Sequence, residues 1–512
     1  MMKKLESLLS NTTLYKTICI CAMILTPSYL LCFFPQYISV ILLLWGAAIL
    51  IHDLIKDRNM FSQTGSILLV LFCIGYTITI LFFAENDISS TLHLFCWTIL
   101  EFFLIFSIEK KRHKDIETIM KDIYAINRVI SIVAVITGLL SLLCYFLKLS
   151  IVFPDPEGLN SAWSVGIIYG RNTGVYNNAL TCANAMLIGC VASLFNLFLN
   201  KGKKWYVCAG YISTFIICYL CELTTLTRTH TFGIYILVFL IVFFVIYQVL
   251  LKKNFGTFKR VVASVCAAVL VFGFCLGGEK TSKFVMKGIA SVSPTINVHE
   301  VLNGGNWFAP IESTPDDEDI QNLDADISLE RTEIDRLPNF FYPRDELWKV
   351  GLQVVPNSPV FGFTTGNKNA TSLEYGTTEY ISKSKDGIAT YHNAYFDIAV
   401  SAGLLGLVFM LFFVGIHLVR TVKMLFSKSL QDFTTKQMIG YIVIASYLAV
   451  HIFLTCNFLG VLCLTNVSVC VYFWILIGFT SGCNGIALNN GEKFSVENII
   501  KKFTKYKEAS DD

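Results

Sequence analysis

Long apolar runs separated by short polar connections extend along almost the whole chain. The runs are about 18 to 25 residues long, which is enough for a helix to cross a hydrocarbon layer about 30 Å thick. This pattern predicts an all-α polytopic membrane protein with about twelve transmembrane helices. The predicted spans lie near residues 16–34, 36–52, 64–83, 92–108, 129–147, 177–199, 205–221, 231–251, 261–277, 395–418, 438–455 and 461–480.

The composition agrees with this class. Hydrophobic residues make up 54% of the 512 residues and charged residues 15%, whereas about 25% of the residues in soluble domains are charged. The first run follows Met1-Met2-Lys3-Lys4 with no small-residue cleavage site after it, so we expect a retained helix and not a signal peptide. A chain of two or three soluble domains is excluded.

Basic residues fall on alternate connections, and this distribution predicts the orientation. Lys and Arg close to membrane spans stay on the cytoplasmic side. If the N-terminus is cytoplasmic, these clusters all lie inside, and both termini are expected to be cytoplasmic. The clusters are Lys3/Lys4/Lys16, Lys56/Arg58, Lys110/Lys111/Arg112/Lys114, Lys201/Lys203/Lys204, Lys252/Lys253/Lys259/Arg260, Arg420/Lys423/Lys428/Lys436 and Lys501/Lys502/Lys505/Lys507.

One connection on the predicted outer side, Gly278 to Asn393, is much longer than the others. We therefore divide the chain into spans one to nine at 1–277, an extracytoplasmic loop or lid with part of the active site at 278–393, spans ten to twelve at 394–480, and a cytoplasmic tail at 481–512. The loop is acidic up to about residue 335 and is expected to be exposed. Its acidic run lacks the glycine and terminal glutamate of a calcium-binding loop.

The second half of the loop has a helical pattern. Leu347, Val350 with Gly351, and Val354 recur as one face of a helix, and Pro356 is expected to end it. Two cytoplasmic segments, at 109–127 and 492–507, mix basic and apolar residues at helical spacing. They are expected to lie on the inner membrane surface.

The 17 cysteines lie almost wholly inside the apolar runs, and none falls between Cys275 and Cys456. Free cysteine packs as a small hydrophobic residue, so we expect the cysteines to fill helix interfaces. No disulfides are expected in the outer loop. No zinc-ligand spacing occurs, and no metal site is expected.

Apart from the long loop, only two basic residues, Arg171 and Arg228, lie clearly in the connections on the predicted outer side. Arg171 and Arg228 stand near span ends, and with Arg344 and His392 they form a candidate set. Guanidinium groups bind phosphate with a forked geometry and keep their charge, and a histidine accepts a proton near neutral pH. A single outer arginine more often reaches lipid headgroups or pairs with a carboxylate such as Glu222, so the hypothesis rests on the set.

Two carboxylates are predicted at membrane depth, where charge is unfavourable. Asp397 lies one helical turn after Asn393 and close enough to the outer end of its span to act with His392. Glu101 shares a helix face with Trp97, so hydrogen bonding inside the bundle is favoured for it over a catalytic role.

Four motifs carry a resemblance. They are Gly170-Arg171-Asn172-Thr173-Gly174-Val175-Tyr176-Asn177-Asn178, Leu226-Thr227-Arg228-Thr229-His230-Thr231-Phe232-Gly233, Arg344 to Trp348 with Pro359-Val360-Phe361-Gly362, and His392-Asn393-Ala394-Tyr395 followed by Gly403-Leu404-Leu405-Gly406. In order and spacing they resemble the O-antigen ligase and polysaccharide polymerase family of bacterial membranes. The resemblance covers about residues 170–406 in motifs and the remainder in helix count.

The resemblance implies a C-type membrane glycosyltransferase of the bacterial cytoplasmic membrane. Such an enzyme takes a glycan from an undecaprenyl diphosphate carrier on the outer leaflet and joins it to an acceptor glycan. The expected partners are these substrates, membrane lipids, a flippase and a chain-length regulator. No cofactor, metal, nucleotide sugar or nucleic acid is expected.

The resemblance also implies roles for individual residues. Arg228 and Arg344 would grip the diphosphate, and His392 would act as base on the acceptor hydroxyl. These three are the expected catalytic residues. The expected substrate-binding residues are Arg171, Asn177, Asn393 and Asp397.

The chain departs from the usual family motifs in places. Thr227 stands where serine is usual, Asn178-Ala179 replaces Pro-Asn, and Phe363 and Thr364 interrupt a close pair of glycines. Ser401 replaces an acid before Gly403, and Asp397 is a candidate to supply the missing carboxylate. These differences concern the substrate and not the class.

Three functions remain open. A polymerase would extend a lipid-linked polysaccharide repeat by repeat, and a ligase would move a finished glycan to a lipid, wall or protein acceptor. The motifs do not separate these two. A flippase for the lipid-linked sugar is less favoured, because it predicts charges along a path through the membrane, whereas the charged candidates here lie on one face.

Overall fold

A computed structural model describes residues 11–28, 30, 35–83, 87–109, 112–153, 163–168, 170–200, 204–292, 344–378, 381–382, 387–455, 462–488 and 495–500. Several predictions fall outside these residues. They concern the chain start at 1–4, the acidic part of the loop with its run at 315–326, the connection at 456–460 and most of the tail segment 492–507.

The described chain is almost entirely helical, which confirms the predicted all-α class. The helices are α1 Thr12–Leu25, α2 Pro35–Lys56, α3 Asn59–Ser62, α4 Ser66–Phe83, α5 Ile88–Leu100, α6 Ile116–Phe146, α7 Ala179–Leu199, α8 Trp205–Thr224, α9 Arg228–Lys252, α10 Thr257–Val292, α11 Arg344–Val354, α12 Lys368–Tyr375, α13 Ala394–Phe426, α14 Thr435–Thr455 and α15 Ser468–Ala487. A π-helical turn, Glu101–Ile105, continues α5.

Among the described residues, 11 helices are long and apolar enough to cross a membrane. They are α2, α4, α5 with its π-helical turn, α6 to α10, and α13 to α15. The first predicted span corresponds to α1, which has 14 residues and is shorter than the roughly 20 needed to cross. The ninth was expected to end near residue 277, but α10 has 36 residues and continues to Val292.

The chain forms two compact units. Unit 1 consists of the described parts of Met1–Ile20, Ser39–Ile123 and Asn339–Asp512. Unit 2 consists of the described parts of Cys21–Ile38 and Tyr124–Pro338.

Unit 2 contains a small antiparallel sheet in the connection between α6 and α7. Strands β1 (Ser150–Phe153), β2 (Trp163–Ile168) and β3 (Arg171–Gly174) pair in that order. The sheet ends at Gly174, which has φ +60 and where a Cβ would overlap the Ser141 side chain. This sheet was not predicted from the sequence. Its fold fixes the strand on which Arg171 lies.

In unit 1, backbone hydrogen bonds join the loop segment Pro359–Thr364 to α13 at a point where that helix is interrupted. The helix is interrupted at Gly403, which has φ 69 and ψ 179. Before the break, Phe363 N donates to Val400 O (2.8 Å) and Thr364 N donates to Ser401 O (2.9 Å). After it, Leu404 N donates to Pro359 O (2.8 Å) and Leu405 N donates to Val360 O (3.3 Å). These hydrogen bonds pair backbone N–H and C=O groups that lose their intrahelical partners where the helix is interrupted.

Two motif glycines make this break possible. At Gly403 a Cβ would overlap the Val360 carbonyl oxygen, and at Gly362, which has φ +75, it would lie 2.5 Å from Gly403 N. The Pro359 motif and the Gly403 motif are therefore partners in one backbone arrangement, which we call the Gly403 clamp. It consists of Pro359–Thr364 and Val400–Leu405.

The second half of the loop has its own apolar core in unit 1. The predicted helix is confirmed as α11, whose Leu347, Val350, Gly351 and Val354 are buried. Pro356 lies in the 3₁₀ turn Val355–Asn357 that follows it. The buried residues of this core are Leu347, Val350, Val354, Phe363, Ile381, Ile388 and Tyr391 of the loop, together with Val400 of α13.

The cysteines of the described residues are free thiols, and most are buried or half-buried. Cys96 and Cys266 are exposed. Cys182 and Cys221 face each other between α7 and α8 with their sulfur atoms 3.8 Å apart. The thiols thus largely fill helix interfaces, as expected from their positions in apolar runs.

Candidate active site

The candidate residues divide between the two units, and the candidate residues of one unit are called its half-site. The unit 2 half-site contains Arg171, Asn177 and Arg228. The unit 1 half-site contains Arg344, His392, Asn393 and Asp397.

Arg228 is the first residue of α9, and its side chain is exposed. The preceding turn from Thr225 to Thr227 joins α8 to α9 and has Leu226 in the left-handed region, with φ 55. The first backbone N–H groups of a helix lack intrahelical partners and favour negative ligands. The exposed guanidinium and the helix start together suit a phosphate group.

Glu222 is fully buried and holds this turn. Its Oε1 accepts hydrogen bonds from Thr231 Oγ1 (2.8 Å) and Thr227 Oγ1 (3.4 Å). The Thr227 hydroxyl also contacts that of Thr225. Glu222 was expected from the sequence as a partner for an outer arginine, and in the structure its carboxylate accepts hydrogen bonds from threonine hydroxyls on both sides of Arg228.

Arg171 reaches the same turn from β3. Its half-buried side chain donates through Nε to Thr225 O (3.0 Å). The neighbouring Asn172 is buried and donates to Thr224 Oγ1 (2.8 Å) and Ser141 O (3.1 Å). The structure therefore brings Arg171 and Arg228 to one turn of the chain, although 56 positions separate them in the numbering.

Asn177 is exposed just before α7. Its Oδ1 accepts from Asn178 Nδ2 (3.3 Å), and its backbone N donates to Pro27 O (3.0 Å). Asn178 caps α7 by accepting from Thr181 N (2.8 Å). Asn177 thus lies at the surface in the same unit as Arg171, and its role in substrate binding stays a prediction.

His392 lies in the unit 1 half-site, immediately before α13. It is half-buried, and its φ of 50 places it in the left-handed region. Burial lowers the pKa of His392, and the positive charge of Arg344 lowers it further, whereas Asp397 acts in the opposite direction. A lowered pKa keeps the imidazole neutral at pH 7, which is the form that accepts a proton.

Asp397 is bonded to the segment that precedes His392. Its Oδ1 accepts from Lys368 Nζ (3.1 Å) and Tyr391 N (3.2 Å), and its Oδ2 accepts from Thr390 Oγ1 (3.1 Å). The Thr390 hydroxyl accepts in turn from His392 N (3.2 Å). The sequence placed Asp397 near His392 correctly, but gave no sign that Lys368 and Thr390 bond to it.

Asn393 is buried at the N-terminus of α13. Its Oδ1 accepts from Tyr395 N (3.0 Å), so the side chain caps the helix. Asparagine directly before an apolar helical run is a recognised cap signal. Its expected contact with substrate stays a prediction beside this structural role.

Arg344 opens α11 and is half-buried. The same helix is bonded to the histidine segment, because Trp348 Nε1 donates to Tyr391 O (3.2 Å). Gly351 lies against the rings of Phe396 and Tyr391. These contacts hold Arg344 and His392 in one packed unit, which explains how the arginine charge acts on the imidazole.

Glu101 belongs to unit 1 and lies in the π-helical turn that continues α5. It is fully buried at the start of the π-helical turn, beside the Cys470 thiol. Trp97 on the same helix donates through Nε1 to Ser39 Oγ (2.9 Å). The position inside the bundle agrees with the structural role favoured for Glu101 from the sequence.

Comparison with known proteins gives one family match. Residues 212–411 match the family model described as O-antigen ligase. The matched region runs from within α8 to within α13 and includes Arg228, Arg344 and His392, whereas Arg171 and Asn177 precede it. No curated protein matches the chain.

Proposed function

The match over residues 212–411 supports an O-antigen ligase-like family for this multi-pass membrane protein, and on that premise we propose a specific activity. The protein extends an undecaprenyl-diphosphate-linked polysaccharide, repeat unit by repeat unit, on the outer leaflet of a bacterial cytoplasmic membrane. Both termini are cytoplasmic in this proposal. Members of the family are glycosyltransferase-like enzymes that act on lipid-linked glycans and acceptors.

The unit 1 half-site carries the proposal. A half-buried histidine with a lowered pKa lies in the same packed unit as an arginine whose charge acts on it. A neutral imidazole accepts a proton from a sugar hydroxyl, and a guanidinium stabilises the charge that develops on a leaving phosphate. The unit 2 half-site adds Arg228 and Arg171, which are anchored at a single turn.

The proposed reaction exchanges one bond for another. An imidazole nitrogen of His392 takes the proton of an acceptor hydroxyl while the hydroxyl oxygen attacks the anomeric carbon of the donor sugar. The bond from that carbon to the diphosphate oxygen breaks, and the lipid diphosphate leaves with the electron pair. Arg228 and Arg344 hold the diphosphate oxygens as their negative charge grows.

We propose that the reaction needs no metal ion, since two fixed guanidinium charges supply the stabilisation that a divalent cation gives in other phosphate sites. Arg171, Asn177, Asn393 and Asp397 line or support the substrate region. A flippase that delivers the donor and a chain-length regulator are the proposed protein partners.

The test uses membranes that contain the full-length protein and lipid-linked repeat units. We expect Arg228→Ala and His392→Ala to abolish chain growth, with normal insertion and a normal amount of donor on the outer leaflet. Unchanged glycan products from both variants would contradict the enzyme proposal. Accumulation of donor on the inner leaflet would favour a flippase instead.

A ligase that moves a finished glycan is the alternative within the family. Product length separates the two activities in the same membranes. A polymerase gives a ladder of products that differ by one repeat unit, whereas a ligase transfers a preformed chain without changing its length. Growth of the lipid-linked chain without any other acceptor supports the polymerase.

A further inference from the structure

The Lys368–Asp397 ion pair in unit 1 is not explained by the proposed reaction alone. Lys368 opens α12, and Asp397 lies in the first turn of α13. Their charged atoms are 3.1 Å apart, and both side chains are 14% exposed. An ion pair with so little exposure loses most of its hydration, so it contributes little stability unless further hydrogen bonds complete it.

Those further bonds lead to the backbone before His392. Asp397 also accepts from Tyr391 N (3.2 Å) and from the Thr390 hydroxyl (3.1 Å), and that hydroxyl accepts from His392 N (3.2 Å). The carboxylate thus binds three donors, two of which belong to the segment that carries the proposed base.

The backbone of His392 needs such support. A φ of 50 is unusual for a residue other than glycine, because the left-handed conformation brings the Cβ atom close to the backbone. The helix cap of Asn393 fixes the chain on one side of His392. Asp397 fixes it on the other side through Thr390 and Tyr391.

We propose that Lys368 and Asp397 are positioning residues for His392, with Asp397 holding the backbone of the 390–392 segment and Lys368 offsetting the negative charge of Asp397. The proposal rests on the proposed function, in which His392 is the base. It adds to that function a residue, Lys368, which none of the family motifs in this chain contains.

Each charged group near His392 is expected to change the pKa of the imidazole in a direction set by the sign of its charge. Arg344 from α11 and Asp397 from α13 act on the imidazole in opposite directions. Lys368 from α12 offsets Asp397, with which it is paired. Tyr391, the preceding residue, stays neutral because burial raises the pKa of its phenol.

Replacing Asp397 and replacing Lys368 are expected to shift the pKa of His392 in opposite directions. Replacing Asp397 with asparagine leaves Arg344 unopposed, so the pKa of His392 falls and the acid limb of the kcat/KM profile moves to lower pH. Replacing Lys368 with methionine exposes His392 to the full negative charge of Asp397, so the limb moves to higher pH. We expect each shift to be roughly half a pH unit to one unit.

The experiment measures glycan transfer against pH for the full-length protein in vesicles, with undecaprenyl-diphosphate-linked repeat unit as donor. The variants are Asp397→Asn, Lys368→Met and Lys349→Met. Lys349 pairs with Glu346 in the same unit but is 58% exposed, so its variant is the matched control and leaves the limb unchanged. Shifts of opposite sign support the proposal, whereas no shift or shifts of one sign overturn it.

Variants of Thr390 test the claim that Asp397 holds the backbone of the 390–392 segment. Thr390→Val removes the hydroxyl that joins Asp397 to His392 N, and with it two hydrogen bonds, so kcat falls about 10-fold, while the acid limb stays in place. Thr390→Ser keeps the hydroxyl and restores the rate. Equal rates for Val and Ser overturn this part.

Two results keep this proposal separate from the proposed function. If His392→Ala is fully active, His392 is not the base, and the proposed function is contradicted. If His392→Ala is inactive but the acid limb of the kcat/KM profile is not shifted in Asp397→Asn and Lys368→Met, only the positioning proposal is contradicted. If Asp397→Asn fails to insert, the direction of the Lys368→Met shift decides, because a lost structural contact gives no upward shift of the acid limb.

Discussion

The exposed side chain of Arg228 at the start of α9 gives a prediction at the residue scale. A guanidinium binds two phosphate oxygens at once, whereas lysine keeps only the charge. We expect Arg228→Ala to reduce transfer at least about 100-fold, and Arg228→Lys to recover part of the loss. Initial rates of transfer at saturating acceptor measure the effect.

Arg112→Ala is the matched control for Arg228. Arg112 is also an exposed arginine in the described chain, but it pairs with Asp122 in unit 1 and lies on the predicted cytoplasmic side. Its removal leaves transfer unchanged. Full activity of Arg228→Ala, or a loss of equal size in Arg112→Ala, contradicts a diphosphate role for Arg228.

The Glu222 contacts predict that Thr231 affects donor binding. Thr231→Val removes the 2.8 Å bond to Glu222 and loosens the turn before Arg228. We expect a KM for the donor that is about 5-fold to 10-fold higher, as one hydrogen bond is worth about 1 kcal/mol. Thr231→Ser keeps the hydroxyl and the normal KM.

Thr281→Val provides the comparison for Thr231. Thr281 donates its hydroxyl to Gly277 O at an exposed position of α10 in the same unit. This variant keeps the normal donor KM. If Thr231→Ser is as impaired as Thr231→Val, the effect arises from side-chain shape and not from the bond to Glu222.

The lowered pKa of His392 predicts the pH dependence of the unmodified protein. A base works only when deprotonated, so a lowered pKa extends activity to more acidic pH. The rate is expected to fall to half of its maximum at a pH below 6.5, the ordinary pKa of histidine. A rate that already falls by half near pH 7 contradicts a neutral, buried base.

The residues of the site were predictable from the sequence to different degrees. Arg171, Arg228 and His392 stood out because a charged or titratable residue at the end of an apolar run is conspicuous. The bonds of Asp397 to Lys368 and Thr390 were not predictable, since α12 and the histidine segment meet only in the tertiary fold. The cap that Asn393 forms on α13 had a signal in the sequence, since asparagine directly precedes an apolar helical run, although the sequence analysis interpreted this residue as substrate-binding.

At the scale of elements, the Gly403 clamp gives the sharpest prediction. Gly403→Ala forces a Cβ against the Val360 carbonyl at a φ of 69, and we expect it to lower the free energy of unfolding by about 2 kcal/mol or more. Gly415→Ala lies in the same helix with nothing within 4 Å, so it leaves stability unchanged. Thermal unfolding of both variants in detergent gives the comparison.

Equal melting temperatures for Gly403→Ala and Gly415→Ala would show that α13 is continuous in solution. The clamp explains why a turn motif in the loop and a glycine motif in a span occur together in this chain. Each supplies the backbone partners that the other lacks. Destabilisation is therefore expected to extend to the loop core that contains Phe363 and Val400.

The elements that the sequence predicted best are those defined by local periodicity. Helix α11 was predicted from the spacing of Leu347, Val350 and Val354, because its buried face is visible in a single turn pattern. The sheet with β3 and the break at Gly403 were not predicted. Both depend on backbone bonds between segments that are distant in sequence, and apolar content alone does not reveal these bonds.

At the scale of the whole molecule, 11 apolar helices among the described residues support a multi-pass membrane protein, and residues 212–411 match the family model described as O-antigen ligase. Hydropathy predicted this class because every spanning helix must be apolar along its length. The number of spanning helices was less predictable from hydropathy, because the apolar runs do not show that α1 has only 14 residues and that α10 has 36.

The most direct test of the central claim uses purified protein in lipid vesicles that contain only the undecaprenyl-diphosphate-linked repeat unit. Glycosidic bonds formed and lipid diphosphate released are counted together for the unmodified protein and for His392→Ala. The account predicts one lipid diphosphate released for each bond formed, and neither product from His392→Ala. Donor that crosses the bilayer with no bond formed, or a His392→Ala variant that transfers at the normal rate, would contradict it.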